Sequence, residues 1–320
     1  MVIMSVRKDM TGEEGFNKKG LKMIITRYKN YGDVDIYFPD YDYTSEHRYY
    51  GDFKKGEVSC PLMINPRIGE ENYNNLGSKM VIKEYRTATD MDVYFPKYDW
   101  IFKGARYSNF KIGKISCPYE PSVLNKGYFG EGKYSSRDEN GCKTKCYNKW
   151  RGMLQRCYDD KYQEKHPSYK GCQVEDCLLN FQNFGEWFDE NYYEIEGETM
   201  CLDKDILNKG NKIYSKDNCI FVPNDINVLF TKSDKIRGDC PIGVTYRKRD
   251  KIYEVYCNRG HKQNVYLGRY NTPEEAFQVY KSYKEQVIKD TIDSYEGIIP
   301  EPHYSKLKEA MYNYKVEITD

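Results

Sequence analysis

The sequence predicts a multidomain α+β chain with two small all-β repeats first, an α+β domain in the middle, and a three-stranded antiparallel sheet plus helix at the end. Three observations carry this expectation. Shifting the chain by 57 positions superimposes its first third on itself. Apolar residues alternate with the period of a strand in that third and again after residue 242, whereas between 142 and 236 they recur with helical spacing. A Gly-, Ser- and charge-rich stretch separates the first two regions. The expected divisions are a repeat over 15–66, a repeat over 72–122, a linker over 123–141, the α+β domain over 142–236, the sheet-plus-helix module over 237–292, and a tail over 293–320.

The duplication aligns residues 20–62 with 77–119 without a gap, and 19 of the 43 positions are identical. Met23 falls on Met80, Tyr28 on Tyr85, and Asp33 and Asp35 on Asp90 and Asp92. The triplet Tyr37-Phe38-Pro39 falls on Tyr94-Phe95-Pro96, and Ser59-Cys60-Pro61 on Ser116-Cys117-Pro118. Each copy reads as three short strands, the third being F-K-x-G-x-x-S-C, with breaks marked by Pro and Gly. Cys60 and Cys117 are expected as strand-end core residues. The copies resemble the small β modules called CapR homology repeats, which precede nuclease-like domains in phage proteins. The resemblance assigns no chemistry; the repeats read either as beads that bind a host protein or nucleic acid, or as spacers.

Charge is nearly balanced, 50 basic residues against 49 acidic, so it has to be read locally. Residues 242–271 hold seven basic and two acidic groups, whereas 138–199 hold eight and thirteen. The late segment is therefore the one expected to meet a polyanion. Thirty-three tyrosines suit strands exposed on one face and interfaces, because the ring buries while the hydroxyl stays wet. Eleven cysteines without a regular framework, and the lack of a charged-then-apolar leader, point to the reducing cytoplasm. No apolar run approaches the ~20 residues of a membrane span.

In the middle region Trp150, Met153, Leu154, Cys157 and Tyr158 mark one amphipathic helix, and Phe181, Phe184, Trp187 and Phe188 a second apolar stripe. Asn224-Asp225 after Pro223 is placed to open another helix. Cys142 and Cys146 with Cys172 and Cys177 have spacings compatible with structural zinc; buried free thiols are the plainer expectation. His166 reads as a solvated loop residue or a displaced base.

The C-terminal module should have strands over 242–247, 252–257 and 264–267. The helix then opens with Thr272 as N-cap, Pro273 first and Glu275 third. Ala276, Phe277, Tyr280, the stem of Lys284, Val287 and Ile288 mark its buried face. Gly243-Val244, Lys251, Tyr253, Leu267-Gly268-Arg269-Tyr270 and 272–276 give this module its identity: it resembles the Apetala/ethylene-response-factor type of DNA-binding domain. That resemblance implies a sheet lying in the major groove, braced from behind by the helix. Arg247 matches an arginine of the family's first strand, while Thr245 stands where another is usual. Arg249, Lys251, Arg259, Lys262 and Arg269 complete the expected contacts with double-stranded DNA, since arginine forks suit guanine edges and phosphates.

The segment 201–221, CLDKDILNKGNKIYSKDNCIF, carries the remaining chemistry. With Tyr147, Trp150, Met153, Arg156-Cys157-Tyr158, Phe184 and Trp187, it resembles the HNH-like region commonly fused to such modules in phage and mobile-element proteins. The resemblance puts Asp203 at the acidic position of a metal-binding hairpin, Asn218 at the structural Asn, Lys204 at the general base and Asn227 at the helix ligand. A lysine has a reference pKa of ~10.4 and takes no proton from water unless strongly desolvated; it can still stabilise charge on a phosphorane. Asp203 and Asp205, two apart, are placed to hold Mg²⁺ or Mn²⁺ with Asn227. Three readings follow: a DNA-binding factor with a degenerate nuclease domain, a metal-dependent homing-type endonuclease using Asp203, Lys204, Asp205 and Asn218, or a phage-encoded inhibitor of a host protein.

Overall fold

The computed structural model describes residues 8–63, 67–231, 240–259 and 264–318. Helices and several separate sheets make up an α+β chain that divides into two compact units, 1–115 and 116–320.

The first unit holds two four-stranded antiparallel sheets. One is formed by β1 (Glu14–Phe16), β2 (Lys22–Asn30), β3 (Asp33–Phe38) and β4 (Tyr43–Arg48), followed by helix α1 (Tyr50–Lys55). The other is formed by β5 (Glu71–Tyr73), β6 (Lys79–Thr87), β7 (Asp90–Phe95) and β8 (Trp100–Ala105), followed by α2 (Tyr107–Lys111). Strict alternation in β3 buries Val34, Ile36 and Phe38, and its counterpart β7 buries Met91, Val93 and Phe95. Met23, Ile25, Phe53, Val58 and Cys60 complete the core of the first copy, and Cys117 is buried as well.

Two expectations need correcting here. The motif F-K-x-G-x-x-S-C is not a strand. Phe53 lies on α1, and Gly56 ends that helix at φ +67°. A Cβ on Gly56 would come 2.9 Å from the Phe16 carbonyl oxygen, so the glycine serves a tight helix stop rather than a strand break. The duplication also reaches further back than residue 20. Glu13 and Glu70 flank equivalent glycines, Gly12 and Gly69, at φ +86° and +87°. They accept from Tyr50 Oη at 2.7 Å and Tyr107 Oη at 2.9 Å.

In the second unit α3 (Lys145–Tyr158) and α6 (Phe181–Asn191) bury the two aromatic stripes expected of them. Between them lie α4 (Asp160–Lys165), β9 (Gln173–Val174) and α5 (Asp176–Leu179). Strand β10 (Met200–Asp203) then pairs antiparallel with β12 (Ile220–Pro223), and β11 (Ile213–Tyr214) in the intervening loop pairs with β9. Helix α7 (Asn224–Leu229) follows β12 directly.

Strand β12 is buried on both faces. Phe221 joins Trp150, Phe181, Phe184, Trp187 and Tyr214 in one core. Ile220 and Val222 point the other way, into a core shared with Val244, Val255, Tyr280 and Val287. The stretches 142–236 and 237–292 are therefore packed together through one strand. The tail expected over 293–320 forms helix α9 (His303–Asn313), whose Tyr304, Leu307 and Met311 enter the same core.

Residues 123–141 are not a free linker. Tyr128 exchanges backbone hydrogen bonds with Leu179 and Phe181, and Gln182 holds Tyr134 through its side chain. Gly127 lies against Leu154 and Trp150 where any Cβ would collide. Glycine serves close approach here, which composition cannot distinguish from slack.

The sheet of β13 (Val244–Arg247), β14 (Ile252–Asn258) and β15 (Asn264–Tyr270) has the order β13-β14-β15. Helix α8 (Pro273–Asp293) crosses one of its faces; Thr272 caps the helix by accepting from the Glu275 amide at 3.3 Å. Its buried residues are those expected from the sequence, with Ile292 added. No described helix is long and apolar enough to cross a membrane.

Candidate nucleic-acid interface

Alternation along the three strands sends Val244, Val255 and Cys257 toward α8. The opposite face carries Thr245, Arg247, Glu254, Tyr256, Tyr266 and Arg269. Thr245 stands opposite Glu254, Glu254 opposite Arg269, and Tyr256 opposite Tyr266 in the ladder. Glu254 is only 2% exposed because the two arginines cover it. Its Oε2 accepts from Arg247 Nε at 2.6 Å and its Oε1 from Arg269 Nε at 3.1 Å. These bonds, the Arg247 one foremost, hold the Glu254 carboxyl below its usual range and raise the Arg247 pKa, while Tyr266 first and Glu254 second raise that of Arg269. Each guanidinium keeps further N–H groups for an outside acceptor, and the side chains remain 55% and 59% exposed. Two arginines expected from the sequence are thus set in a common orientation by an acid on the strand between them.

The other expected contacts are more dispersed. Arg249 stands out from the β13–β14 turn with its side chain 92% exposed, 3.0 Å from Asp250. Lys251 closes that turn at φ +55°. Arg259 is exposed just past β14, and Lys262 lies outside the described residues.

The hairpin presents a different picture. Asp203 Oδ1 accepts the amides of Asp205 and Ile206, each at 2.8 Å. Burial, with the Asp205 carboxylate adding to it, pushes the Asp203 carboxyl up to about 6. Lys204 is 5% exposed and its Nζ sits 3.0 Å from Asp205 Oδ2. The ammonium is turned toward the Tyr214 ring, 5.9 Å from its centroid, and away from solvent. Asn218 Oδ1 accepts from Asn208 Nδ2 at 2.9 Å, so this side chain ties the loop together. Asn227 is half-buried on α7, its carbonyl accepting from Phe230 and Thr231.

Both carboxylates of the Asp203 and Asp205 pair already have partners. One oxygen of Asp203 already takes two amides, and Asp205 has a lysine as its counter-ion. Among the described residues no third His, Cys, Asp or Glu closes around the pair within ligand distance. Lys204 is thus held in an ion pair with Asp205 and shielded from solvent. In this arrangement the Asp203, Lys204, Asp205 and Asn218 side chains are engaged with one another or with the surrounding loop.

Two basic side chains beside the hairpin escaped the sequence reading as a pair. Lys149 and Arg156, seven apart on α3, donate to the Met200 and Leu202 carbonyls on the edge of β10 that β12 leaves unpaired. Arg156 also lies over Tyr214 at 5.2 Å and Tyr169 at 5.9 Å. Their spacing on one helix face was the available signal.

No three of Cys142, Cys146, Cys172 and Cys177 come within ligand distance of one another. Cys142 is exposed, and burial pushes the Cys146 thiol up to about 12. His166 packs against the Tyr162 ring at 4.4 Å, just after α4.

One group with metal-ligand spacing does occur, at Asp33, Asp35 and His47 in the first repeat. Its cation position is filled from within. Arg27 bonds Asp33 at 2.9 Å and Asp35 at 2.5 Å, and the His47 amide donates to Asp35. In the second repeat Arg86, from a different position on its strand, clamps Asp90 and Asp92, and Gly104 replaces His47 as amide donor. An arginine clamp recurring without the histidine marks a structural ion pair. No protein-family model, curated protein or solved structure matches the chain.

Proposed function

We propose that this is a phage-type protein that binds DNA through the outward face of its C-terminal sheet, with a nuclease-like hairpin that no longer cuts. The observation that carries the reading is the Glu254-aligned pair Arg247 and Arg269 on a sheet face left open by α8. Paired guanidiniums on a twisted sheet suit phosphates and guanine edges of double-stranded DNA. The order β10, loop, β12, α7 supports kinship with the HNH-like frame, while the paired Lys204 and Asp205 favour occupancy over cleavage. Eleven free cysteines suit the reducing cytoplasm of a bacterial host.

Supercoiled plasmid with Mg²⁺ or Mn²⁺ separates holding from cutting. The expected result is gel retardation without nicking, the same for wild type and Asp203→Ala. Metal-dependent nicking lost in Asp203→Ala would establish the endonuclease instead.

A second reading concerns the repeats alone. Phe16 and Tyr73, equivalent in the two copies, are 67% and 61% exposed, which favours a protein partner there.

A further inference from the structure

Resting on the DNA-binding reading, we propose that the same sheet face takes unpaired bases, stacked on Tyr256 and Tyr266, and so prefers DNA with an unpaired stretch to a perfect duplex. The two side chains face each other across β14 and β15 with ring centroids 5.2 Å apart and planes at 47°. Their hydroxyls fix how the rings lie. Tyr256 Oη donates to Glu254 Oε2 at 3.3 Å, two residues back on the same strand. Same-face neighbours along a strand are about 6.7 Å apart. A tyrosine spans that gap only with its ring laid along the strand, not standing off the sheet. Tyr266 likewise reaches the Arg269 guanidinium, three residues on along its own strand.

The two ring planes are inclined to each other at 47°, and Tyr266 is 50% exposed. Arg247 and Arg269 lie at the Glu254 end of the pair on the same face, supplying cations for the phosphates that must accompany a stacked base. Flat aromatic faces beside a cationic strip are what single-stranded nucleic acid requires, since every base offers a π-face. Stacked pairs inside a duplex do not. A protein segment is the poorer occupant, because the outward ladder edge is charged and the apolar positions of these strands face α8.

The test uses full-length protein and four probes: a 20-base-pair duplex, the same duplex with a four-nucleotide mismatched bubble, its single strand as DNA, and that strand as RNA. Binding to the bubble and the single strands is expected to be roughly tenfold tighter than to the duplex. Tyr266→Leu should erase that advantage, bringing the bubble and single strands down to the affinity of the duplex. The RNA arm shows whether the 2′-hydroxyl is tolerated. Duplex bound as tightly as bubble, or Tyr266→Leu weakening all probes equally, overturns the stacking proposal and leaves the DNA reading intact. Binding to no probe by folded protein overturns both.

Discussion

At the scale of single residues, Asp203 and Glu254 show how one carboxylate chemistry is used in opposite ways. Glu254 lies under two guanidiniums, so its charged form is stabilised. Asp203 is desolvated next to Asp205, so its charged form is penalised. A folded-state value of about 6 against the ordinary 3.8 means the native state binds the extra proton. Its stabilising effect is complete below pH ~4 and is lost as pH rises through ~6. Asp203→Asn keeps an oxygen for the two amides and never ionises. Urea unfolding should show the variant nearly level with wild type at pH 4 and about 1–3 kcal/mol more stable at pH 7.5. A pH-independent difference would mean that Asp203 is not held protonated by its surroundings. The sequence disclosed Asp203 as unusual but assigned it to a metal. What it could not disclose was that Lys204, next in the chain, turns inward to neutralise Asp205.

At the scale of elements, legibility follows periodicity. Helix α8 could be read nearly residue by residue, because Thr272, Pro273 and a stripe from Ala276 to Ile288 all report the same local geometry. Arg247 and Arg269 were legible through local charge and the family resemblance, whereas the irregular register that turns Arg269 outward two residues after the inward Leu267 was not. The third strand expected in each repeat was misread because F-x-x-G ends a short helix as readily as it breaks a strand. Residues 123–141 were misread because glycine for close packing and glycine for slack look alike in composition. Gly127→Ala separates the two. Forcing a methyl between Leu154 and Trp150 should cost about 1–3 kcal/mol in denaturant unfolding. Gly152→Ala, on the same α3 with open space around it, should be neutral or slightly stabilising. Two neutral substitutions would return this segment to the status of a linker.

At the scale of the whole molecule, what sequence could not supply was the sharing of cores. Ile220-Phe221-Val222 is a short apolar run that fits any buried strand. Only in three dimensions does it become a partition, with Phe221 on the helical side and its neighbours on the sheet side. The hairpin thereby forms a wall shared with the core of the C-terminal sheet and helix. Near-neutral overall charge likewise conceals that Arg247 and Arg269 are brought together on one outward sheet face. On the proposed function, Arg247 and Arg269 on this face carry the electrostatic part of DNA binding. The dependence of log K on log salt for a mixed-sequence duplex, comparing wild type with Arg247→Ala/Arg269→Ala, tests this without an intermediary. Every phosphate that the protein ceases to neutralise takes about 0.9 off the slope, so the double variant should flatten it by roughly one to two. Equal slopes for wild type and variant, with both bound to DNA, would contradict the assignment and move the DNA-binding surface elsewhere on the protein.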